Sequence, residues 1–169
     1  QKKIKRSRFT VTISDYNKQY LCQRVGGDPE KIKRIYNGID LERFIVTGEP
    51  KENTFTFLCV ARFVEKKGHA VLIRACEILR TKGLDFRCWL VGKGSLRSAI
   101  REDIKEKQLE SCVTPLGPHS HEEVMDRCRR AHAYTLPCIV GADGNRDGLP
   151  VSLVEVLASG LSVITSPSP

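Results

Sequence analysis

The stretch TFTFLCVARF (Thr54–Phe63) determines the predicted fold of the chain. Residues 57–61 are all apolar, so the segment has no polar face, which is typical of a strand buried on both sides in a parallel sheet. A helical pattern follows over Gly68–Thr81, where apolar residues recur three and four positions apart. A buried strand that leads into an amphipathic helix predicts the first unit of an α/β sheet.

The same alternation of strand and helix continues along the chain. Further strands are predicted at Phe86–Gly92, Ser111–Gly117, His132–Pro137 and Leu161–Ser166. The helices between them are predicted at Ser95–Leu109, His119–Ala131 and between Pro150 and Gly160. Upstream, a strand is predicted at Phe9–Ser14 and a helix at Asp15–Gly26. Lys31–Asp40 is predicted as a strand that runs into an Asn-Gly turn. This order predicts a Rossmann-like, doubly wound parallel sheet, with ligands at the carboxyl ends of its strands.

The composition narrows the class of protein. Seven cysteines at scattered positions, without a CxxC pair, favour reduced thiols in the cytoplasm over a disulfide framework or a zinc site. No apolar run reaches the roughly 20 residues that cross a bilayer. Much of the net charge of +8 lies in QKKIKRSR (Gln1–Arg8), which fits a solvated or disordered end, or contact with an anionic membrane surface or acidic substrate. Nucleic acid is not expected, because the basic residues are not interleaved with aromatics.

Two cations follow the strand at Thr54–Phe63. Arg62 stands at its carboxyl end, and Lys67 lies at the start of the next helix. Cations beside a helix N-terminus suit a diphosphate, although surface loops commonly carry such residues too. The next loop, VGKGSLR, begins like a dinucleotide fingerprint, but Arg97 occupies the third glycine position and no acidic residue ends the following strand. A nicotinamide cofactor is therefore not favoured.

The segment GNRDGLPVSLVEVLASG (Gly144–Gly160) contains an isolated carboxylate. Glu155 is the only ionisable residue from Leu149 to Ile164, so it must reach solvent, an internal donor or a ligand. Helical spacing predicts a core face of Leu153, Val154, Leu157 and Ala158, and a narrow polar stripe of Ser152, Glu155 and Ser159. Backbone N–H groups at the start of this helix can face an anion.

These motifs carry a resemblance to a known family. RFVEKKG, VGKG and DGLPVSLVEVLASGLSVITS, in this order and spacing, resemble the C-terminal domain of retaining GT-B glycosyltransferases of family 4, the glycosyl transferases group 1. TISDYNKQYL and DPEKIKRIYNGIDLERF are similar to the family's crossover between domains. The resemblance implies that residues 1–44 end an acceptor domain and form the linker. Residues 45–169 would then be a nucleotide-sugar-binding domain that is incomplete at its C-terminus.

The resemblance also implies roles for particular residues. Arg62 and Lys67 would hold the donor diphosphate and act in catalysis by stabilising the leaving group. The family's E-x7-E motif falls on Asp147 and Glu155, which would contact the donor sugar and the ribose respectively. Asp147 stands where the family usually has Glu, and Cys138 where it usually has Ser. The backbone would reach the phosphate and the sugar at Gly148, Leu149, Pro150 and Val151.

The expected function is retaining transfer of a sugar from a nucleotide-diphosphate donor to a glycan or lipid-linked acceptor, in polysaccharide or glycolipid biosynthesis. The resemblance implies no metal, no cofactor beyond the donor substrate, and a cytoplasmic enzyme in peripheral contact with the inner membrane face. The GKG and PLGPHS loops are expected to surround the base of the donor nucleotide. Residues 1–169 alone are expected to be inactive. Two alternatives stay open, an inactive nucleotide-diphosphate-binding module and a nicotinamide-dependent oxidoreductase.

Overall fold

A computed structural model of the chain describes residues 2–44 and 51–167. Its N-terminal part is small and contains one parallel pair of strands. The elements are helix α1 (Lys2–Arg6), strand β1 (Thr10–Thr12), helix α2 (Asp15–Gln23) and strand β2 (Ile32–Arg34), and β1 pairs with β2. A 3-10 helix at Leu41–Phe44 follows, so the predicted boundary between residues 44 and 45 lies at the edge of the described residues.

The larger part alternates strand and helix from residue 56 to residue 165. Its elements are β3 (Thr56–Val60), α3 (His69–Thr81), β4 (Arg87–Val91), α4 (Arg97–Glu106), β5 (Val113–Gly117), α5 (His121–Arg130), β6 (Ala133–Leu136), α6 (Val151–Ala158) and β7 (Ser162–Thr165). The five strands form one parallel sheet in the order β5-β4-β3-β6-β7. The prediction of a Rossmann-like, doubly wound parallel sheet is confirmed.

Strand β3 lies at the centre of the sheet, with two strands on each side. Strands β4 and β5 extend it on one side, and β6 and β7 extend it on the other. Because β-α-β crossovers are right-handed, α3 and α4 cover one face of the sheet, and α5 and α6 cover the other. The strand order therefore reverses between β3 and β6. In sheets of this kind, ligands bind in the crevice at that reversal point, outside the carboxyl ends of the strands.

The central strands are buried because they are apolar on both faces. Leu58 and Cys59, which are neighbours in β3 and point to opposite faces, are both fully buried. In β6 all four residues are buried, and the Tyr134 hydroxyl donates a 2.9 Å hydrogen bond to the Val60 carbonyl oxygen. The same hydroxyl lies 3.0 Å from the hydroxyl of Ser152, and burial raises the pKa of Tyr134. This polar contact joins β3, β6 and α6 at the carboxyl edge of the sheet.

The cysteines are all free thiols, and five of the seven are buried. Burial is the main reason why the pKa of the Cys59 thiol is raised to about 12. Such a thiol stays protonated and packs as a small apolar side chain.

Two predicted helix ends are confirmed. At the start of α5, the Ser120 hydroxyl accepts a hydrogen bond from the Glu123 N–H, and the Glu123 carboxylate accepts one from the Ser120 N–H. After α6, Gly160 has φ +74°, the left-handed conformation that commonly ends a helix.

The predicted core face of α6 is partly wrong. Val156 is the buried residue of this helix, whereas Leu157, expected in the core, is 62% exposed. Ser152 and Glu155 line the same hollow as Val156 and are half-buried. A helix that is apolar nearly all round has no distinct amphipathic face, so periodicity alone could not orient it.

The structure makes two expectations about the N-terminal part more precise. The basic segment at the N-terminus forms the short helix α1, and Lys3, Arg6 and Arg8 are exposed, as in a solvated end. The strand predicted at Lys31–Asp40 covers only Ile32–Arg34, because a 3-10 helix occupies Pro29–Lys31 and residues 35–40 have no regular structure.

Gly68 allows the loop after β3 to approach the loop after β6. It has φ +68°, and a Cβ atom at this position would lie 1.8 Å from the Pro137 carbonyl oxygen. Because the backbone conformation and this contact both exclude a side chain, Gly68→Ala should lower the free energy of unfolding by about 3 kcal/mol or more. Urea unfolding followed by circular dichroism measures this loss.

Gly83→Ala is the matched control for this experiment. Gly83 has φ +73°, but a Cβ atom there would meet nothing within 4 Å. Only the left-handed conformation is then penalised, and the loss should be about 1 kcal/mol. Equal losses in the two variants would show that the contact with Pro137 does not constrain the loop.

Candidate functional site

Two loops meet at the reversal point of the sheet. The 61–68 loop follows β3, and the 137–150 loop follows β6. The Ile139 N–H donates a 2.9 Å hydrogen bond to the Lys66 carbonyl oxygen. The Glu65 carboxylate accepts a 3.2 Å hydrogen bond from the Ala142 N–H. The loops are therefore joined by backbone and side-chain contacts, in the crevice where the fold predicts a ligand.

The carboxylate of Asp147 forms the centre of a small charge cluster in this crevice. Its oxygens lie 2.8 Å from Lys67 Nζ and 3.2 Å from Lys66 Nζ, and the Cys138 thiol donates to it at an S···O distance of 3.6 Å. Burial raises the pKa of Asp147, but the hydrogen bonds and charges of Lys67 and Lys66 together bring it below its ordinary value of 3.8. Asp147 is therefore ionised at neutral pH.

Two of the predicted site residues, Lys67 and Asp147, are thus in direct contact. Lys67 is only 9% exposed, and a lysine is rarely buried to this degree unless it is paired. It ends a 3-10 helix at Glu65–Lys67, just before Gly68 and α3. Lys66 was not predicted to take part. The two adjacent lysines are visible in the sequence, but the family resemblance assigns a role to one of them.

Arg62 lies between two hollows at the carboxyl edge of the sheet. The first has a volume of about 260 Å³, and its lining includes Arg62, Lys66 and residues of the 137–150 loop. The second has a volume of about 250 Å³ and lies beside the loops after β4 and β5, with Gly92 and His119 in its lining. The exposed Arg62 side chain lines both hollows, so it connects the charge cluster with the GKG and PLGPHS loops.

Glu155 is half-buried in a third, narrow hollow of about 20 Å³. Val60 and Val124 line this hollow and also the second one, so the two are adjacent. Within residues 2–44 and 51–167, the Glu155 side chain makes no hydrogen bond and no ion pair. Of the three possibilities raised by the sequence, the internal donor is therefore excluded for this part of the chain, and solvent or a ligand remains.

The start of α6 faces the N-terminal part of the protein. The helix begins at Val151, with Pro150 at the N-cap position and no side chain capping the first turn. A Cβ atom at Gly148 would lie 3.1 Å from Ser14 Oγ and 3.2 Å from Asn17 Nδ2. The first turn of α2 therefore borders the predicted backbone contacts at Gly148, Leu149, Pro150 and Val151. Ser14 and Asn17 could not be identified from the sequence, because their proximity to Gly148 arises from the tertiary fold.

His69 lies behind the charge cluster, in the first turn of α3. It is 3% exposed, and both of its ring nitrogens are buried and have no hydrogen-bond partner among residues 2–44 and 51–167. Its ring meets the Phe63 ring edge to face, with centroids 4.9 Å apart. Burial, and secondarily the charge of Lys67, lowers the pKa of His69 to about 4. The imidazole is therefore neutral at physiological pH.

Two further observations concern only the part of the chain that the structure describes. It contains no group of three or more His, Cys, Asp or Glu residues arranged to hold a metal ion. None of its helices has the length and apolar character of a membrane span.

The fold and the site define the class of the protein as a Rossmann-like α/β domain with a crevice that is lined by charged side chains. The model of the family described as glycosyl transferases group 1 matches residues 42–169. The chain belongs to this family.

The curated relatives are glycosyltransferases by name. The chain is 36% identical over 149 residues to the amylovoran biosynthesis glycosyltransferase AmsK of Erwinia amylovora, a match that covers 88% of the chain and 37% of the relative. It is 34% identical over 169 residues to WcaL of Escherichia coli strain K12, named for colanic acid biosynthesis, with 98% of the chain and 41% of the relative covered. The chain thus spans about two fifths of these relatives.

Solved structures of glycosyltransferases share the fold. S. aureus TarM, solved as a G117R mutant with UDP among its ligands, superposes with a TM-score of 0.80 at 15% identity, over 96% of this chain and 30% of TarM. Anabaena Alr3699/HepE, solved with UDP and glucose, superposes with a TM-score of 0.80 at 17% identity, over 98% of this chain and 46% of HepE. At these identities the likeness shows the fold alone.

The neutral, buried His69 should make the protein less stable in mild acid. When the pH falls from about 6.5 to about 4, the unfolded chain takes up a proton at His69 that the folded chain does not. The free energy of unfolding should therefore decrease by about 3 kcal/mol over this range from His69 alone, and this contribution should level off below pH 4.

Urea unfolding between pH 7 and pH 4 measures this dependence in the parent chain and in His69→Leu. His69→Leu should lack the part of the pH dependence that is due to His69. Because the two proteins are compared by how their free energies of unfolding change with pH, a general loss of stability in the variant does not affect the result. The same pH dependence in both proteins would contradict a neutral, buried His69.

Proposed function

We propose that this chain is the donor-binding part of a glycosyltransferase that moves a sugar from a nucleotide-diphosphate donor to a glycan or lipid-linked acceptor, with retention. The observation that carries the proposal is the contact of Lys67 with Asp147 in the crevice between β3 and β6. It puts a buried cation and a half-buried carboxylate side by side where a sheet of this topology binds its ligands. Membership of the family supports the same function.

The cations act on the leaving group. Cleavage of the bond between sugar and diphosphate develops negative charge on the diphosphate and positive charge on the sugar. Lys67, Arg62 and the uncapped N-terminus of α6 would stabilise that negative charge. Because Lys67 is fixed by Asp147 and has little exposure to water, it needs little reorganisation when the charge develops.

The two carboxylates serve as hydrogen-bond acceptors. Asp147 would accept hydrogen bonds from hydroxyl groups of the donor sugar, with the backbone from Gly148 to Val151 beside it. Glu155 would accept hydrogen bonds from the ribose hydroxyls. Its hollow adjoins the one lined by Gly92 and His119, where we place the base of the nucleotide. On this view neither carboxylate forms a covalent bond with the sugar. Retention would follow from attack of the acceptor on the same face, assisted by the leaving phosphate.

The proposal assigns the remaining chemistry to a longer protein. Residues 45–169 form the donor-binding domain in our assignment, and residues 1–44 form the end of the acceptor domain and the linker. Residues 1–169 would be inactive without the rest of that protein. The names of AmsK and WcaL support a role in polysaccharide biosynthesis. We place the enzyme in the cytoplasm, in peripheral contact with the membrane. Retention is tested in such a longer protein by NMR of the product's anomeric configuration.

Calorimetric titration with UDP, GDP and ADP tests the donor site. One nucleotide should bind, with and without EDTA, because the proposed diphosphate ligands are side-chain cations and backbone N–H groups. Lys67→Met and Glu155→Gln should each weaken its affinity about tenfold, since each removes a charge-assisted contact. Lys82→Gln, at the far end of α3, and Glu102→Gln, on the exposed side of α4, are matched controls that should bind like the parent chain.

Three outcomes would count against parts of this proposal. Failure of all three nucleotides to bind, in this chain and in a longer protein that contains it, would overturn the donor-site assignment. Loss of binding in EDTA would overturn metal independence. Unchanged affinity in Lys67→Met or Glu155→Gln would remove the corresponding residue from the site.

A further inference from the structure

Lys66 contacts the 137–150 loop at three points. Its carbonyl oxygen accepts the 2.9 Å hydrogen bond from the Ile139 N–H. Its Nζ donates to Asn145 Oδ1 at 3.2 Å and lies 3.2 Å from Asp147 Oδ1. The side chain is only 16% exposed, so it is held against the loop and is not an ordinary solvated surface lysine.

The charges of the cluster show why a second lysine matters there. Lys67 is the cation proposed to meet the diphosphate, yet its Nζ already lies 2.8 Å from an Asp147 oxygen. With Asp147 and Lys67 alone, the cluster would present no net charge to an anion, and the carboxylate would repel it. Lys66 compensates the carboxylate through its other oxygen, Oδ1. Lys66, Lys67 and Asp147 together then carry a net charge of +1.

We propose that Lys66 is a positioning residue that holds the 137–150 loop and compensates Asp147, so that Lys67 remains available to a diphosphate. This inference rests on the proposed function of the site and adds a residue to it. Lys66 acts through Asp147 and not by touching the phosphate. Its effect on nucleotide affinity should therefore depend on whether Asp147 carries a charge.

A double-mutant cycle separates the two ways in which Lys66 can act. The affinity for the tightest of UDP, GDP and ADP is measured by calorimetry in the parent chain, Lys66→Gln, Asp147→Asn and the double variant. In the parent background, Lys66→Gln should weaken binding about tenfold, because Asp147 then offsets the charge of Lys67 and repels the diphosphate. In the Asp147→Asn background, the same substitution should weaken binding only about twofold, the effect of one screened charge.

Conservative and remote substitutions complete this cycle. Lys66→Arg keeps the charge and should retain affinity within about threefold of the parent chain, although its hydrogen-bond geometry differs. Lys82→Gln removes the same charge from the far end of α3 and should have no effect. Equal weakening by Lys66→Gln in both backgrounds would overturn the proposal, since Lys66 would then act on the phosphate directly. No weakening in the parent background would overturn it as well.

Amide hydrogen exchange tests the positioning role without any nucleotide. Loss of the Lys66 side-chain contacts should increase the exchange of the Ala142 and Asn145 N–H groups about tenfold in Lys66→Gln, and not in Lys82→Gln. The Ala142 N–H donates to the Glu65 carboxylate of the 61–68 loop, and the Asn145 N–H donates to the Asp143 carboxylate within the 137–150 loop. Unchanged exchange would overturn the positioning role. If the parent chain binds none of the nucleotides, the proposed function fails, and exchange still decides whether Lys66 holds the loop.

Discussion

The ion pairs of Asp147 with Lys66 and Lys67 join the two loops that form the candidate site. One loop leaves β3 and the other leaves β6, and the strand order reverses between these strands. Because successive crossovers diverge there, a crevice is left between the loops. The charge cluster spans this crevice, and the same two loops also meet where Gly68 packs against the Pro137 carbonyl oxygen. The carboxylate can stay ionised while half-buried because two ammonium groups compensate it.

The features that were predictable from the sequence are those that local physical chemistry determines. The apolar run at residues 57–61 identified β3 as an interior strand, and alternation of strand and helix then determined the class of sheet. Ser120 and Gly160 marked helix ends because capping depends on one or two residues. The rule that ligands bind at the carboxyl ends of parallel strands then selected the loops that contain Lys67 and Asp147.

Long-range contacts and the rotation of α6 were not predictable in this way. Lys66 and Asp147 are separated in the sequence by most of the larger domain, and no periodic pattern predicts that they are close in space. The orientation of α6 failed for a different reason. Leu153, Val154, Val156 and Leu157 are all apolar, so the helix lacked a hydrophobic face that a pattern could detect, and packing against the sheet selected Val156. The roles proposed for Arg62, Lys67, Asp147 and Glu155 come from the family resemblance.

The two carboxylates of the site differ in the partners that the protein gives them, and this bears on what each can do. Asp147 is compensated by two lysines, so its oxygens are fixed in position and its charge is largely neutralised before a ligand arrives. Glu155 is half-buried, and the described residues give it no hydrogen bond or ion pair. It therefore gains most from a ligand that donates hydrogen bonds. A diol donates two of them without adding charge, so a ribose suits Glu155.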